Sequence, residues 1–406
     1  MKYRIVIILV PLAILSIALA IGSDLMLRLF SLMVLVLLLG YLWALLGIRD
    51  ISIRVRRSDE SWHVGGRFGE EITVFSNSRI PKLLVTLEEN TDLPGQNNVA
   101  VFNLSSNNSY CWLTEVYCQR RGQYSWGVFR ATVTDPFGFF SFHRNMGEPQ
   151  NILVYPAMLD LPHFQLLSRN ELGNIPSRWL ASEVGPNAAR VREYTSDDTL
   201  NRIHWPSTAH TGKLMVKEFD ADSANHASKY IWIVLDMHQA SQVGDGDEST
   251  EEYGVTLAAS LIKKYVESGH QVGLIVSGDR TYLFPPETGS QHLWEMMEAL
   301  ALMRATGEVP VERLISREID RFNINSVVIV ITPAASKRMV APLRRAKSRG
   351  VPVIVISLDF GSFAGTTSRA RASSSLVSSG FQVYVVRHGE ELNGALDSRT
   401  LISQAR

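Results

Sequence analysis

Cysteine is the scarcest useful residue in this chain, with two in 406, Cys111 and Cys118. That excludes a disulfide framework and any four-cysteine metal site. Net charge is also missing: forty Lys and Arg balance forty Asp and Glu. Nucleic-acid binders draw affinity from an excess of basic residues, so a neutral chain argues against that class. Apolar residues are not scarce, at 46% against 20% charged, which excludes a disordered protein. Catalytic motifs are lacking too. The nearest approach to a phosphate loop, Gly212-Lys213, has Ser207 where the first glycine belongs and Leu214 where a hydroxyl belongs. No Gly-x-Ser-x-Gly elbow occurs, because Gly361-Ser362 sets the serine one place early. Both cysteines fall in a strand-rich region with no nearby histidine. The expectation is a protein that is not an enzyme.

Long apolar runs are what the chain does have. Ile5–Ile21 carries no charge, and after Gly22-Ser23-Asp24 a second run, Leu25–Ile48, is broken only by Arg28. Each is about long enough to cross ~30 Å of hydrocarbon as a helix. The short break predicts a transmembrane helical hairpin over 1–48. Lys2 and Arg4 precede it and Arg49, Arg54, Arg56 and Arg57 follow, so the positive-inside rule sets both ends in the cytoplasm. This predicts a multi-pass protein of the inner (cytoplasmic) membrane with cytoplasmic soluble domains and reduced cysteines. Ala18-Leu19-Ala20 also resembles a signal-peptide cleavage site, and cleavage there would leave the second span in place.

Residues 49–156 change to short alternating runs. Ile51–Val55, Glu71–Phe75, Leu83–Leu87 and Gly127–Val133 read as strands, separated by turn-rich pieces. An antiparallel β-sandwich of immunoglobulin-like size is expected. Asp135-Pro136-Phe137-Gly138-Phe139-Phe140 reads as a turn with aromatics packed beneath it, or as a docking loop. From Tyr230 onward strands and helices alternate: strands at Tyr230–Leu235, Gln271–Ile275, Ser326–Ile331, Pro352–Ser357 and Phe381–Val386, helices at Thr250–Ser268, His292–Met303 and Ser336–Ser348. Pro342 is expected to kink the last helix or delay its start. The pattern predicts a doubly wound α/β domain over 226–406.

The connecting segment, 157–225, holds Arg192-Glu193-Tyr194, Asp197-Asp198, Arg202, Trp205 and Lys217-Glu218. A short strand at Val191–Tyr194, a helix from Leu200 to Trp205 capped by Ser196 or Asp197, and a strand at Leu214–Phe219 are predicted there, tied by an Asp–Arg ion network. His204 and His210 lack the partner spacing of a zinc site.

This stretch, with Arg120-Arg121-Gly122 and the Asp135 turn, resembles the signature of the domain of unknown function 58 (DUF 58) family, over nearly the whole chain. The chain departs from that pattern in Thr195-Ser196, before the paired acids, and in His204-Trp205-Pro206. The resemblance implies a membrane-anchored protein whose α/β region is a von Willebrand factor A-like domain. It further implies a non-enzymatic adaptor working with a MoxR-type AAA+ ATPase, and often with a transglutaminase-like membrane protein. Domains of that kind often bind Mg²⁺ at an Asp-x-Ser-x-Ser loop after the first strand, with a later Thr and Asp. Here the loop reads Asp236-Met-His238-Gln-Ala240, Thr288 is available as the Thr, and Pro333 stands in place of the second Asp. Mg²⁺ wants near-octahedral oxygen ligation, so a degenerate site is expected, with no cofactor. A metal- or ligand-sensing module acting through the Asp236 loop is the alternative reading. The acidic loop Gln242–Glu252 and the basic helix face of Lys337, Arg338, Arg344, Arg345 and Lys347 are read as solvated surfaces or docking surfaces.

Overall fold

The computed structural model describes residues 2–57, 62–96, 98–164, 166, 190–195, 203–218, 230–365 and 371–396. The chain forms two compact units, Met1–Tyr155 and Pro156–Arg406.

The first unit begins with two helices, α1 (Lys2–Ile21) and α2 (Asp24–Gly47), parted at Gly22, which takes a left-handed φ of 66°. Among the described residues one helix, α2, is long and apolar enough to cross a membrane. The described apolar stretch of α1, Leu9–Ile21, is shorter than that.

Among the described residues nine antiparallel strands follow: β1 (Ile51–Arg57), β2 (Arg67–Ser76), β3 (Lys82–Asn90), β4 (Val99–Leu104), β5 (Ser109–Tyr117), β6 (Gly122–Trp126), β7 (Val128–Thr134), β8 (Ser141–Met146) and β9 (Gln150–Val154). They pair as β1-β2-β5, β4-β3-β7-β8 and β6-β9. Alternate residues of the two larger sheets share one core: Ile51, Ile72 and Val74 from the first, Val85, Leu87, Phe102, Phe129, Ala131 and Val133 from the second. The alternation that marks these strands in the sequence is the period-two consequence of one dry face and one wet one. Strands β4, β5, β8 and β9 are hard to read from sequence because polar residues such as Asn103, His143 and Arg144 interrupt them.

Helix α2 is gripped by this unit. A Cβ on Gly47 would lie 2.8 Å from Val133 Cγ1, and one on Gly40 would lie 3.3 Å from Asp135 Oδ2. Buried Lys82 donates from Nζ to the carbonyls of Gly47 (2.8 Å) and Arg49 (2.6 Å), closing the C-terminal end of the helix. Burial holds this ammonium below the usual lysine range.

The second unit contains a short antiparallel pair, β10 (Arg190–Glu193) with β11 (Met215–Glu218), around α3 (Trp205–Thr211). Of the helix expected over Leu200–Trp205, residues 200–202 lie outside the described residues, and its end is corrected: Ile203 bridges Val216 as extended chain and a helix starts at Trp205. Pro206 suits a helix that starts at Trp205, since proline is tolerated in a first helical turn. The expected cap at Ser196 or Asp197 lies outside the described residues; His204 caps α3, its Nδ1 accepting from Ser207 N at 3.3 Å.

The described residues from 230 onward hold a six-stranded sheet in the order β14-β13-β12-β15-β16-β17. Its members are β12 (Tyr230–Leu235), β13 (Gln271–Ser277), β14 (Thr281–Glu287), β15 (Ser326–Thr332), β16 (Val353–Leu358) and β17 (Gln382–Val386). Only the edge strand β14 is antiparallel. Pro285 and Pro286 obscure β14 in the sequence, and an edge position is where a strand tolerates them. Helix α4 (Thr250–Glu267) packs on one face, with Gly254 close to Leu235 and Ile331, and α5 (Ser290–Leu302) lies beside it. On the opposite face α6 (Val311–Glu318) and α7 (Val340–Ser348) bury Val311, Leu314, Leu343 and Ala346 against Trp232, Val234, Val328 and Val355. Helix α7 begins after a 3₁₀ turn, Lys337–Met339, with Pro342 inside its first turn, so the proline delays the α-helix rather than kinking it. Such coverage of both faces is what lets these strands be almost wholly apolar.

Candidate functional site

Strand order reverses direction between β12 and β15, the two central neighbours. Open α/β sheets receive ligands at the carboxyl ends of strands at such a point. Asp236, the first residue past β12, stands there and is 3% exposed. Its Oδ2 accepts from Thr332 Oγ1 at 2.6 Å, and its Oδ1 accepts from the His238 amide at 3.1 Å. The Asp236 carbonyl accepts from Gln242 Nε2 at 2.7 Å, while Gln242 Oε1 accepts from Thr250 Oγ1 at 2.7 Å. His238 Nδ1 lies 3.1 Å from Ser241 Oγ. Burial pushes the Asp236 carboxyl above the ordinary range, against the downward pull of the Thr332 and His238 hydrogen bonds. The loop after β12 is therefore laced to itself and to the start of α4.

This donor set does not fit Mg²⁺. Each oxygen of Asp236 accepts a hydrogen bond from a protein donor, and Ala240 and Pro333, which stand where a serine and a second Asp would be, offer no side-chain oxygen. Among the described residues no three His, Cys, Asp or Glu side chains form a metal-holding group. Thr288 lies elsewhere: it follows β14, whose Glu287 pairs with Val272 at the opposite end of the sheet. The threonine that meets Asp236 is Thr332. It ends the strand beside β12, and the two residues meet through the pairing of β12 with β15.

Outside Asp236 the same edge is acidic. Asp247, Glu252, Glu390 and Glu391, with Tyr253, Thr256 and Leu392, line an open cleft of about 430 Å³. The Gln242–Glu252 loop is less free than a solvated loop. Glu248 Oε2 meets His388 Nε2 at 2.7 Å, Arg304 lies 3.8 and 3.6 Å from Glu251 and Glu252, and Ser249 Oγ caps α4. On the basic face of α7, Lys347 donates to the Gly380 carbonyl (2.8 Å) and lies over Phe381, while Arg345 and, in the 3₁₀ turn before the helix, Lys337 and Arg338 are exposed.

The signature residues are brought together in part. Glu193 pairs with Lys213 at 2.6 Å, both more than 60% exposed, and Tyr194 N donates to the Leu214 carbonyl. Trp205 opens α3 with 66% of its surface exposed. Asp197, Asp198 and Arg202 lie outside the described residues, as do the side chains of Arg192, Lys217 and Glu218.

Comparison with known proteins bears on this stretch directly. Residues 190–359 match the family described as "Protein of unknown function DUF58". The DUF58 region so defined runs from β10 past β16 and contains both the Arg-Glu-Tyr signature and the Asp236 loop. The chain is also similar to the uncharacterized protein YeaD of Bacillus subtilis, 23% identical over 331 residues covering 78% of this chain and 77% of that one. Among solved structures, proximal thread matrix protein 1 of the mussel byssus is 16% identical over 44% of this chain and 48% of its own, at a TM-score of 0.32. The CARDB domain of PF1109 from Pyrococcus furiosus is 14% identical over 26% of this chain and 92% of its own, at a TM-score of 0.21.

Proposed function

We propose that this protein is a membrane-anchored, non-enzymatic adaptor that presents a von Willebrand factor A-like domain to a MoxR-type AAA+ ATPase. In this reading α1 and α2 form a hairpin in the inner membrane, and the strand-rich region and the DUF58 region stand in the cytoplasm. The partner brings the nucleotide chemistry, and a transglutaminase-like membrane protein is a further associate.

The observation that carries the reading is the Asp236 edge. Its polar groups are spent on one another at the place where the fold usually receives ligands, and a cleft along the same edge is lined by Asp247, Glu252, Glu390 and Glu391. A rigid acidic rim suits a basic segment of a protein partner by charge complementarity. The helix-covered parallel sheet with one antiparallel edge strand supports the domain type.

The test is binding of the full chain, held in lipid nanodiscs, to a MoxR-type ATPase from the same organism. Micromolar or tighter binding is expected, weakened at least about tenfold by Glu390→Lys with Glu391→Lys, in keeping with the cost of like charges at an interface. Absence of binding at micromolar concentrations defeats the adaptor reading. The sensor reading at the same loop is met by titrating Mg²⁺ and Mn²⁺ calorimetrically into wild type and Asp236→Ala, where identical heats dispose of it.

A further inference from the structure

The Asp135 turn is built for the wrong solvent if it faces water. Asp135 is fully buried, accepts from Phe137 N at 3.0 Å and Phe140 N at 2.5 Å, and holds Phe140 N and O in a closed turn. What this device displays is apolar. Phe137 is 59% and Phe139 40% exposed, their rings stacked 5.9 Å apart at the tip. The expectation that these aromatics pack beneath the turn is corrected for these two. Phe140 and Phe142 do pack, both edge-on to Tyr41 of α2 at 5.6 and 5.5 Å.

Position along α2 gives this display its meaning. Val133 lies beside Gly47 and Asp135 beside Gly40, so the chain runs back along the helix, toward its N-terminal end, before turning. From Asp24 to Gly40 the helix rises only about 24 Å. A hydrocarbon layer of ~30 Å that starts at charged Asp24 therefore ends about four residues beyond Gly40, near Ala44. The turn beside Gly40 then stands roughly 6 Å within the boundary, and any tilt of α2 carries it deeper. Tyr41 and Trp43 share that level, where aromatic belts form. Two more exposed apolar side chains, Leu83 and Leu84, follow the Lys82 that grips the end of α2, and exposed Arg49 and Arg79 flank the exit.

We infer that the 135–140 turn is a membrane-dipping finger, with Phe137 and Phe139 seated at the headgroup–acyl boundary of the bilayer that α2 spans, and with Leu83 and Leu84 as a second footing. The occupant of this surface is lipid. The inference rests on the spanning reading of α2 and adds to it a lipid contact made by the strand-rich region itself. Arginines at the rim match anionic headgroups.

The test uses the full chain with Cys111→Ser, which leaves buried Cys118 as the native thiol. Phe137→Cys, Phe139→Cys, Val34→Cys and Tyr117→Cys are each labelled with an environment-sensitive fluorophore. Each is reconstituted in phosphatidylcholine–phosphatidylglycerol vesicles carrying a doxyl quencher either near the headgroup or deep in the chain. Val34, exposed and halfway between Asp24 and Ala44, reports the middle of the span, and Tyr117, paired with Arg67, reports the end of the sheet remote from Ile51. Expected are blue-shifted emission at 137 and 139 with several-fold stronger shallow quenching than at 117, and deep quenching at 34. Quenching at 34 with water-like emission at both 137 and 139 overturns the finger and leaves the span standing. Water-like emission at 34 as well overturns both.

Discussion

The two β regions treat buried charge in opposite ways. The antiparallel unit buries Glu70, Lys82, Glu89, Arg121 and Asp135, each within or next to its strands. In the second unit the parallel strands are apolar through their middle; buried Asp236 stands past β12 at the carboxyl edge, and buried Glu318 closes α6, off the sheet, against Arg317 and Arg321. The difference follows from coverage. Helices on both faces leave the parallel strands no room for a charge except at their ends. A sheet with one wet face can lead buried charges to partners at its rim and use them to hold loops and the end of a helix. Charge in the first region is therefore architectural, and at the parallel sheet it is kept to the edge where the candidate site lies.

The sharpest way to break that contrast is Asp135→Ala, which strips two backbone amides of a buried charged acceptor. Hydrogen bonds to charged groups are worth about 1.5–3 kcal/mol each, so a loss of about 3–4 kcal/mol is expected, read by chemical denaturation in detergent.

Glu89 comes next. Burial, then neighbouring Glu70, push its carboxyl up to about 7, against the pull of Asn98, which donates to Oε2 at 2.9 Å. Because the folded protein holds this proton more tightly than the unfolded chain, the stabilisation is fully present below about pH 4.5. It is lost as pH rises through 7. Glu89→Gln should raise stability at pH 8 by up to about 3 kcal/mol and do little at pH 4.5, seen as a melting curve that loses its pH dependence over that window. An unchanged pH dependence would show that Glu89 ionises as an exposed acid does.

Thr332→Val probes the other region. It leaves Asp236 Oδ2 without its donor, and a loss of about 1–2 kcal/mol is expected, a few degrees in melting temperature. The smallest effect belongs to Glu193→Gln. The Glu193–Lys213 pair is open to solvent, and no measurable change in melting temperature is expected. A clear drop would mean that the signature hairpin depends on this pair.

The parallel strands were legible because buried-on-both-sides strands print themselves as runs such as Tyr230–Leu235, whose bounds match the observed strand. The amphipathic α4 was legible for the same reason, by its apolar spacing. Strand β14 was not, since two prolines outweigh pattern wherever the edge position is unknown. Helix α3 was misplaced because capping residues before Pro206 read as well as the true cap, His204. At the site, Asp236 could be found from its motif position. Its partner Thr332 could not, because the two are joined only by the adjacency of β12 and β15, and adjacency in a parallel sheet is not written in local sequence.

Three residues, Ile48 to Asp50, separate α2 from β1, and Lys82 fastens two carbonyls at that joint. Such a connection has no slack. A leash lets its cargo wander and reports nothing about the post to which it is tied. A mast passes rotation along its length, so a change in the tilt of α2 arrives in the strands as torque, at Val133 and Asp135 first.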